Sequence, residues 1–365
     1  MGRVRNEYYL SRDNDILSNS PNLIHAREFF HVKHSQKTLS TIHHNIHKWY
    51  LQNGRHDLPW RTTDDPYHIY LSEVMLQQTQ VATVLERFYF PFLRKFPSLE
   101  ALGSAPLDEV LKLWEGLGYY NRAKNLHKAA RILVEEGQTR GSAPTLPSDI
   151  EALMKLPGIG KNTAHAVAAF AFHRPVPVME ANVRRILCRL HRIESPNDKH
   201  LWEHAYALVD TKHPFDYNQA MMDIGATLCT PKDPACERCP LLAICQGREK
   251  PERYPTKIRK KVPLREAHIV LYCYDEKLSL VQRSGKFLHG LWGFESVTTP
   301  PCACEYLGEV SHAYTHFKLT CHIHLYHETT PAQQHYFSIE EIEALAISKV
   351  DEKILKRYLK HISSQ

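Results

Sequence analysis

From Leu39 to about Cys245 the apolar residues recur at helical spacing, and almost no stretch alternates as a strand would. Leu71, Val74, Met75, Val81 and Leu85 follow that period, with Pro66 near the start. Further helices are predicted over Leu107–Trp114, opened by Pro106, and over Ala123–Glu136, ending near Gly137. Ile150–Leu156 and Thr163–Phe172 flank a tight Pro157-Gly158-Ile159-Gly160 break. Beyond residue 265 the period changes. His268–Tyr274 and Leu278–Gln282 read as strands. Leu319, Cys321, Ile323 and Leu325 alternate with Lys318, Thr320, His322 and His324 as a half-buried strand does. Glu340–Leu345 and Lys353–His361 return to helix. The pattern predicts a mainly helical region followed by a small α+β domain.

Between the two, residues 248–265 hold eight Lys or Arg and three Pro, which predicts a stiff, extended basic linker. Residues 1–37 are polar and without steady period, and predict a loosely held extension. The domain ranges expected are therefore 38–247 and 266–365. At 365 residues the chain is long enough for two cores, and its net charge of +6 suits a polyanionic partner. No apolar run reaches membrane-spanning length, and the basic N-terminus lacks the apolar stretch of a secretory signal. A soluble, cytoplasmic protein is expected.

Nine cysteines are an odd number in a chain without a signal, so a disulfide framework is disfavoured. Four of them, Cys229, Cys236, Cys239 and Cys245, follow C-x6-C-x2-C-x5-C and predict one metal centre. Zinc and a four-iron cluster both accept four thiolates, and the spacing does not separate them. A second feature is the string Leu156-Pro157-Gly158-Ile159-Gly160-Lys161. Its glycines permit a tight turn and leave backbone N–H groups open at a helix start, which suits a phosphate.

The longest informative run is Leu71-Ser72-Glu73-Val74-Met75-Leu76-Gln77-Gln78-Thr79-Gln80. Glu73 lies among apolar neighbours, where desolvation would help a carboxyl hold its proton. This run resembles the signature of the MutY family, as do Leu58-Pro59-Trp60-Arg61, Gly116-Leu117-Gly118-Tyr119-Tyr120 and Asn218-Gln219-Ala220-Met221-Met222. The Leu156–Lys161 string resembles the helix–hairpin–helix of base-excision glycosylases, and the cysteine spacing resembles the loop that binds a [4Fe–4S] cluster in endonuclease III and MutY. The resemblance implies a glycosylase in two helical subdomains with a Nudix-like C-terminal domain. Its substrate would be adenine opposite 8-oxoguanine or guanine in duplex DNA, its cofactor the cluster, and its state a monomer.

Carried over position by position, Glu73 would be the catalytic acid. Glu180 would stabilise the sugar cation, with Asn182 holding the site. Trp60, Arg61, Leu76, Leu117 and Gln219 would line the pocket of the flipped adenine, and Gln78 and Tyr119 would wedge into the duplex. Gly158, Gly160 and Lys161 would meet phosphate. Asn162 stands where the bifunctional relatives carry a Schiff-base lysine, and its amide cannot form one, which implies a monofunctional enzyme in which Asn162 still borders the substrate. Two positions depart from the family: Glu180 replaces Asp, and Ala181 replaces Gly. Tyr314-Thr315-His316 match, more loosely, the Phe-Ser-His loop that reads oxidised guanine. The carboxylate run of a Nudix hydrolase is absent. No carboxylate partner is evident for His312, His316, His322 and His324, so a polar DNA-facing surface is preferred to a metal site there. The alternatives are an endonuclease III-like lyase, opposed by Asn162, a non-catalytic iron–sulfur DNA-binding protein, and a Nudix hydrolase, opposed by the missing carboxylates.

Overall fold

The computed structural model describes residues 35–256, 262–285, 287–330 and 335–364. Most of the expected extension therefore lies outside the described residues, as do residues 257–261 of the basic segment. In chain order the helices are α1 (Gln36–Asn53), α2 (Pro66–Met75), α3 (Val81–Val84), α4 (Phe90–Lys95), α5 (Leu99–Ser104), α6 (Leu107–Leu113), α7 (Asn121–Arg140), α8 (Ile150–Lys155), α9 (Lys161–Ala171), α10 (Ala181–Leu190), α11 (Asp198–Leu208), α12 (Pro214–Thr227), α13 (Ile339–Ala344) and α14 (Lys349–Ile362). The strands are β1 (Leu264–Tyr274), β2 (Lys277–Gln282), β3 (Trp292–Gly293), β4 (Glu295–Val297), β5 (Glu305–Ala313), β6 (Lys318–His327) and β7 (His335–Phe337).

Two compact units form. One holds the described residues before Thr63 and those from His165 to Thr256; the other holds Thr63–Ala164 and the described residues after the basic segment. In the first unit, Ser35 accepts the Thr38 N–H and so caps α1, whose Ile42, Ile46 and Tyr50 recur every four residues on one buried face. That face packs with Ile186, Leu187, Leu201, Tyr217, Met221 and Ile224 from α10, α11 and α12.

In the second unit, β1 and β6 run parallel over ten register pairs from Leu264↔Lys318 to Cys273↔His327, and the order β3-β2-β1-β6-β5 is otherwise antiparallel. The inward positions Ile269, Leu271, Cys321, Ile323 and Leu325 pack against Ile342 of α13 and Ile354, Leu355 and Tyr358 of α14. This is the expected α+β region. An ion pair between Arg283, which follows β2, and the buried Asp351 of α14, at 2.8 Å, ties the two elements together.

The structure revises several expectations. The helical period from Leu71 to Leu85 is not one helix. Asp65 caps α2 by accepting from Tyr67 and His68, but the helix stops at Met75, and Gln78 takes a left-handed φ of 57°. Gly137 does not end its helix. It lies inside α7, where an added Cβ would sit 2.8 Å from the Ser142 carbonyl, and the left-handed Gly141 terminates the helix instead. The basic segment is not wholly extended: Pro251–Arg253 forms one 3₁₀ turn, with Arg253 paired to Glu194 at 2.6 Å. Of His312, His316, His322 and His324, one does have carboxylate neighbours. His322 lies 3.3 Å from Glu309 and 3.9 Å from Glu266, brought together by strand pairing that the linear sequence conceals.

Candidate active site

Arg122, at the start of α7, organises one side of the second unit. Its guanidinium donates to the carbonyls of Val74, Met75 and Gln77 through Nη1 and to those of Leu117 and Gly118 through Nη2, all within 2.7–3.2 Å. The first three are carbonyls that α2 would have used to continue, so the arginine takes over the helix C-terminus and a tight turn follows. Burial lowers the Arg122 pKa to about 10, which still leaves it charged at neutral pH. One cation therefore holds two segments together, Met75–Thr79 and Gly116–Tyr119. Each presents an exposed residue in the left-handed region, Gln78 and Tyr119 (φ 57° and 50°). A non-glycine residue there is strained unless its surroundings fix it. Leu117 turns inward and is buried, and Leu76 is half-buried.

Gln78 and Tyr119 open onto a cleft of about 540 Å³ whose other wall carries Phe287, Tyr314, Thr315 and His316. Tyr314 sits edge-on to Phe287 at 5.0 Å between ring centres, and burial pushes its hydroxyl up to about 12. The residues expected to wedge into DNA and those expected to read the opposite base thus face one cavity. Its size is in the ~300–1,000 Å³ range of ligand sites.

Glu73 lies on the last turn of α2 and is half-buried between the fully buried Ser72 and Val74. The hairpin follows in the same unit. Asp149 caps α8 by accepting the Ala152 N–H, and Ile159 anchors the turn in the core. Gly158 has φ 77°, and a Cβ there would stand 2.6 Å from that of Asn125, so only glycine fits. Gly160 is exposed, with nothing within 4 Å of where a Cβ would stand. Lys161 and Asn162 are exposed at the start of α9. Thr163 accepts from Gln77 at 3.2 Å and ties the hairpin helix to the Gln78 turn.

The first unit carries the other carboxyl. Glu180 is the N-cap of α10 and accepts the Val183 N–H at 3.3 Å. Burial pushes its pKa above the ordinary range, against the hydrogen bonds from Asn182 and Val183 and the charge of Arg185, which pull it down. The segment before it is pinned by Asn218 of α12, which accepts from Val178 N–H at 2.8 Å and donates to the Val176 carbonyl at 2.9 Å. Asn182 accepts from Arg185 at 2.8 Å, and the same guanidinium donates to the carbonyls of Gly225 and Cys229. Trp60 and Gln219 are buried. Arg61 is committed to a bidentate pair with the fully buried Asp223, at 2.7 and 2.9 Å, so its hydrogen bonds serve the fold at this point. The structural roles of Arg122, Asn218 and Asp223 are not legible in the linear sequence. The local sign is a charged or amide residue on the apolar face of a helix, as at Asp223 between Ala220 and Ile224.

The four cysteines leave α12 in one loop, all half-buried and free of disulfides. Burial, then the charges of Cys229, Cys245 and Cys236, push the Cys239 thiol up to about 12, and Arg189 donates to the Cys229 sulfur at 3.3 Å. Among the described residues no group of three or more such side chains is placed to hold a metal ion. In number, softness and placement on one loop, the donors fit a centre that takes four thiolates. Among the described residues no helix is long and apolar enough to cross a membrane.

Residues 71–209 match the HhH-GPD superfamily of base excision DNA repair proteins. The adenine DNA glycosylase of Rattus norvegicus is 32% identical over 91% of this chain and 80% of its own length. That of Homo sapiens is 31% identical over 90% and 76%. The solved structure of a thermostable thymine-DNA glycosylase is 31% identical, with a TM-score of 0.53 over 59% of this chain and 98% of its own. The chain belongs to the adenine DNA glycosylases, enzymes of base-excision repair.

Proposed function

We propose that this glycosylase acts on adenine opposite 8-oxoguanine or guanine in duplex DNA, and that it is monofunctional. The observation that carries the reading is the cleft in which Gln78 and Tyr119 face Tyr314, Thr315 and His316. A duplex entered from one wall by Gln78 and Tyr119 would present the base opposite the target to the other wall. Trp60, Arg61, Leu76, Leu117 and Gln219 are proposed for the adenine pocket, Arg61 as the fixed, ion-paired element of its wall. Gly158, Gly160 and Lys161 are proposed for phosphate, with Asn162 beside the substrate.

In the proposed chemistry Glu73 passes its proton to a ring nitrogen of adenine. The glycosidic electron pair leaves with the base, and the Glu180 carboxylate faces the cation left on the sugar, oriented with Asn182. Water then adds its oxygen to the anomeric carbon, and the proton it loses restores the Glu73 carboxyl. Asn162 offers no amine for a Schiff base, so the DNA strand stays intact. Cys229, Cys236, Cys239 and Cys245 would hold a [4Fe–4S] cluster, whose contribution when bound is to cross-link the loop. Residues 38–247 and 266–365 are proposed as the catalytic and base-reading regions of a cytoplasmic monomer.

The test is a single-turnover assay on a duplex with one adenine opposite 8-oxoguanine, followed by hot alkali. Cleavage only after alkali, and lost in Glu73→Gln, is the expected result. Cleavage without alkali, together with borohydride trapping, would reject the monofunctional assignment. Tight binding without excision would point to Glu180 and to a non-catalytic protein.

A further inference from the structure

Next to the cleft, a set of polar contacts that the proposed chemistry does not use joins the segments that supply its lining. Lys112, at the end of α6, donates to the carbonyls of Glu343 at 2.6 Å and Leu345 at 3.0 Å. It is also paired with Glu115 at 2.6 Å. Glu115 in turn accepts the Ile347 N–H at 3.1 Å. The Tyr120 hydroxyl accepts from Gly116 N–H at 3.4 Å and donates to the Ile347 carbonyl at 3.3 Å. Both ends of this clasp lead into the cleft. Glu115 and Tyr120 bracket the Gly116–Tyr119 segment, while Ile347 precedes Ser348 and Lys349, which line the cavity beside Tyr314.

We infer that Lys112, Glu115 and Tyr120 are positioning residues that set the separation of the two cleft walls, and thereby the preference for 8-oxoguanine over guanine opposite the target adenine. The inference rests on the reading of the cleft given above. None of the three needs to touch DNA. They act by giving the 343–347 segment one seat: two carbonyls at the α13 C-terminus on an ammonium, and both backbone groups of Ile347 on side chains. Carbonyls at a helix end have no partner within the helix, so a lysine there is a directional anchor and not only a charge. Without it the base-reading wall keeps its own core but loses its register against Tyr119. Discrimination between two purines that differ at few atoms depends on such placement.

The experiment uses the full-length, cluster-loaded enzyme as wild type, Lys112→Met, Glu115→Gln, Tyr120→Phe and the conservative Lys112→Arg. Single-turnover excision is measured on adenine opposite 8-oxoguanine and opposite guanine, with hydrogen exchange at the Ile347 amide alongside. The ratio of the two rates is expected to fall about five-fold or more in Lys112→Met and Glu115→Gln, the lower end of couplings between linked sites. Ile347 exchange should rise in the same variants, and Lys112→Arg should restore much of both. A merely structural role would slow both substrates alike and leave the ratio unchanged, and that result overturns the inference. Faster Ile347 exchange with an unchanged ratio overturns it equally. A wild type that excises adenine at the same rate opposite either base would remove the cleft reading and the clasp together, whereas a discriminating wild type with discriminating variants removes the clasp alone.

Discussion

Glu180 has one oxygen committed to the Val183 N–H, and its pKa is raised by burial. In the proposed role it must be an anion, so the acid limb of excision is expected above the ordinary glutamate value of about 4.3. A single-turnover pH–rate profile measures this, with Glu180→Gln expected to be nearly inactive across the range. A wild-type limb at or below the ordinary value would detach the limb from this residue. The sign for stability is opposite to that for activity. A carboxyl whose folded pKa is raised contributes fully below its unfolded pKa, and that contribution is lost as pH rises through the folded value. The site thus holds Glu180 at some cost to the fold at neutral pH, the usual mark of a group retained for chemistry.

At the scale of elements, two residues decide where helices stop and how they approach. Arg122 ends α2 by taking the carbonyls of Val74, Met75 and Gln77 and holds Leu117 and Gly118 as well. Arg122→Met would leave these acceptors without their shared donor, at an expected cost on the order of 3 kcal/mol. Hydrogen exchange should rise in Met75–Thr79 and Gly116–Tyr119 before anywhere else, and equal protection in variant and wild type would count against this account. Gly225 lets α12 touch α10, since a Cβ there would stand 2.4 Å from that of Asn182. Gly225→Ala is expected to cost about 1–3 kcal/mol through overpacking. It should also slow excision by more than the stability loss explains, because the displaced residue is Asn182 itself. Thermal melting beside single-turnover rates separates the two effects.

Across the whole molecule, the long-range contacts are those that join residues far apart in sequence. Asp223 is fully buried and meets Arg55 and Arg61, more than 160 positions earlier. Burial alone would raise its pKa, but the hydrogen bonds and charges of Arg61 and Arg55 outweigh it, and the net shift is downward. Asp223→Asn would leave buried guanidinium charge uncompensated, with an expected loss of about 3–5 kcal/mol at neutral pH. Because the folded pKa is lowered, this contribution is present above the unfolded value and lost as pH falls through the folded one. Melting curves of the two proteins should therefore converge in acid, and a constant gap would argue against the ion pair as the source.

Local pattern alone determined much of this protein. The 3.6-residue period located α6, α8 and α9, the alternation at Leu319–Leu325 located β6, and the motif runs singled out Glu73, the hairpin and the cysteine loop. Such features depend on neighbours within a few positions, so they are written in order along the chain. Tertiary structure alone decided that α2 would end at Met75, because the competing donor, Arg122, lies 47 positions on. It also decided that Arg61 would be spent on Asp223, and that Gln78 and Tyr119 would share a cavity with Tyr314 and His316. Each of these depends on which polar groups meet once the cores have closed, and a buried charge takes whatever partner the packing offers because the alternative is to have none.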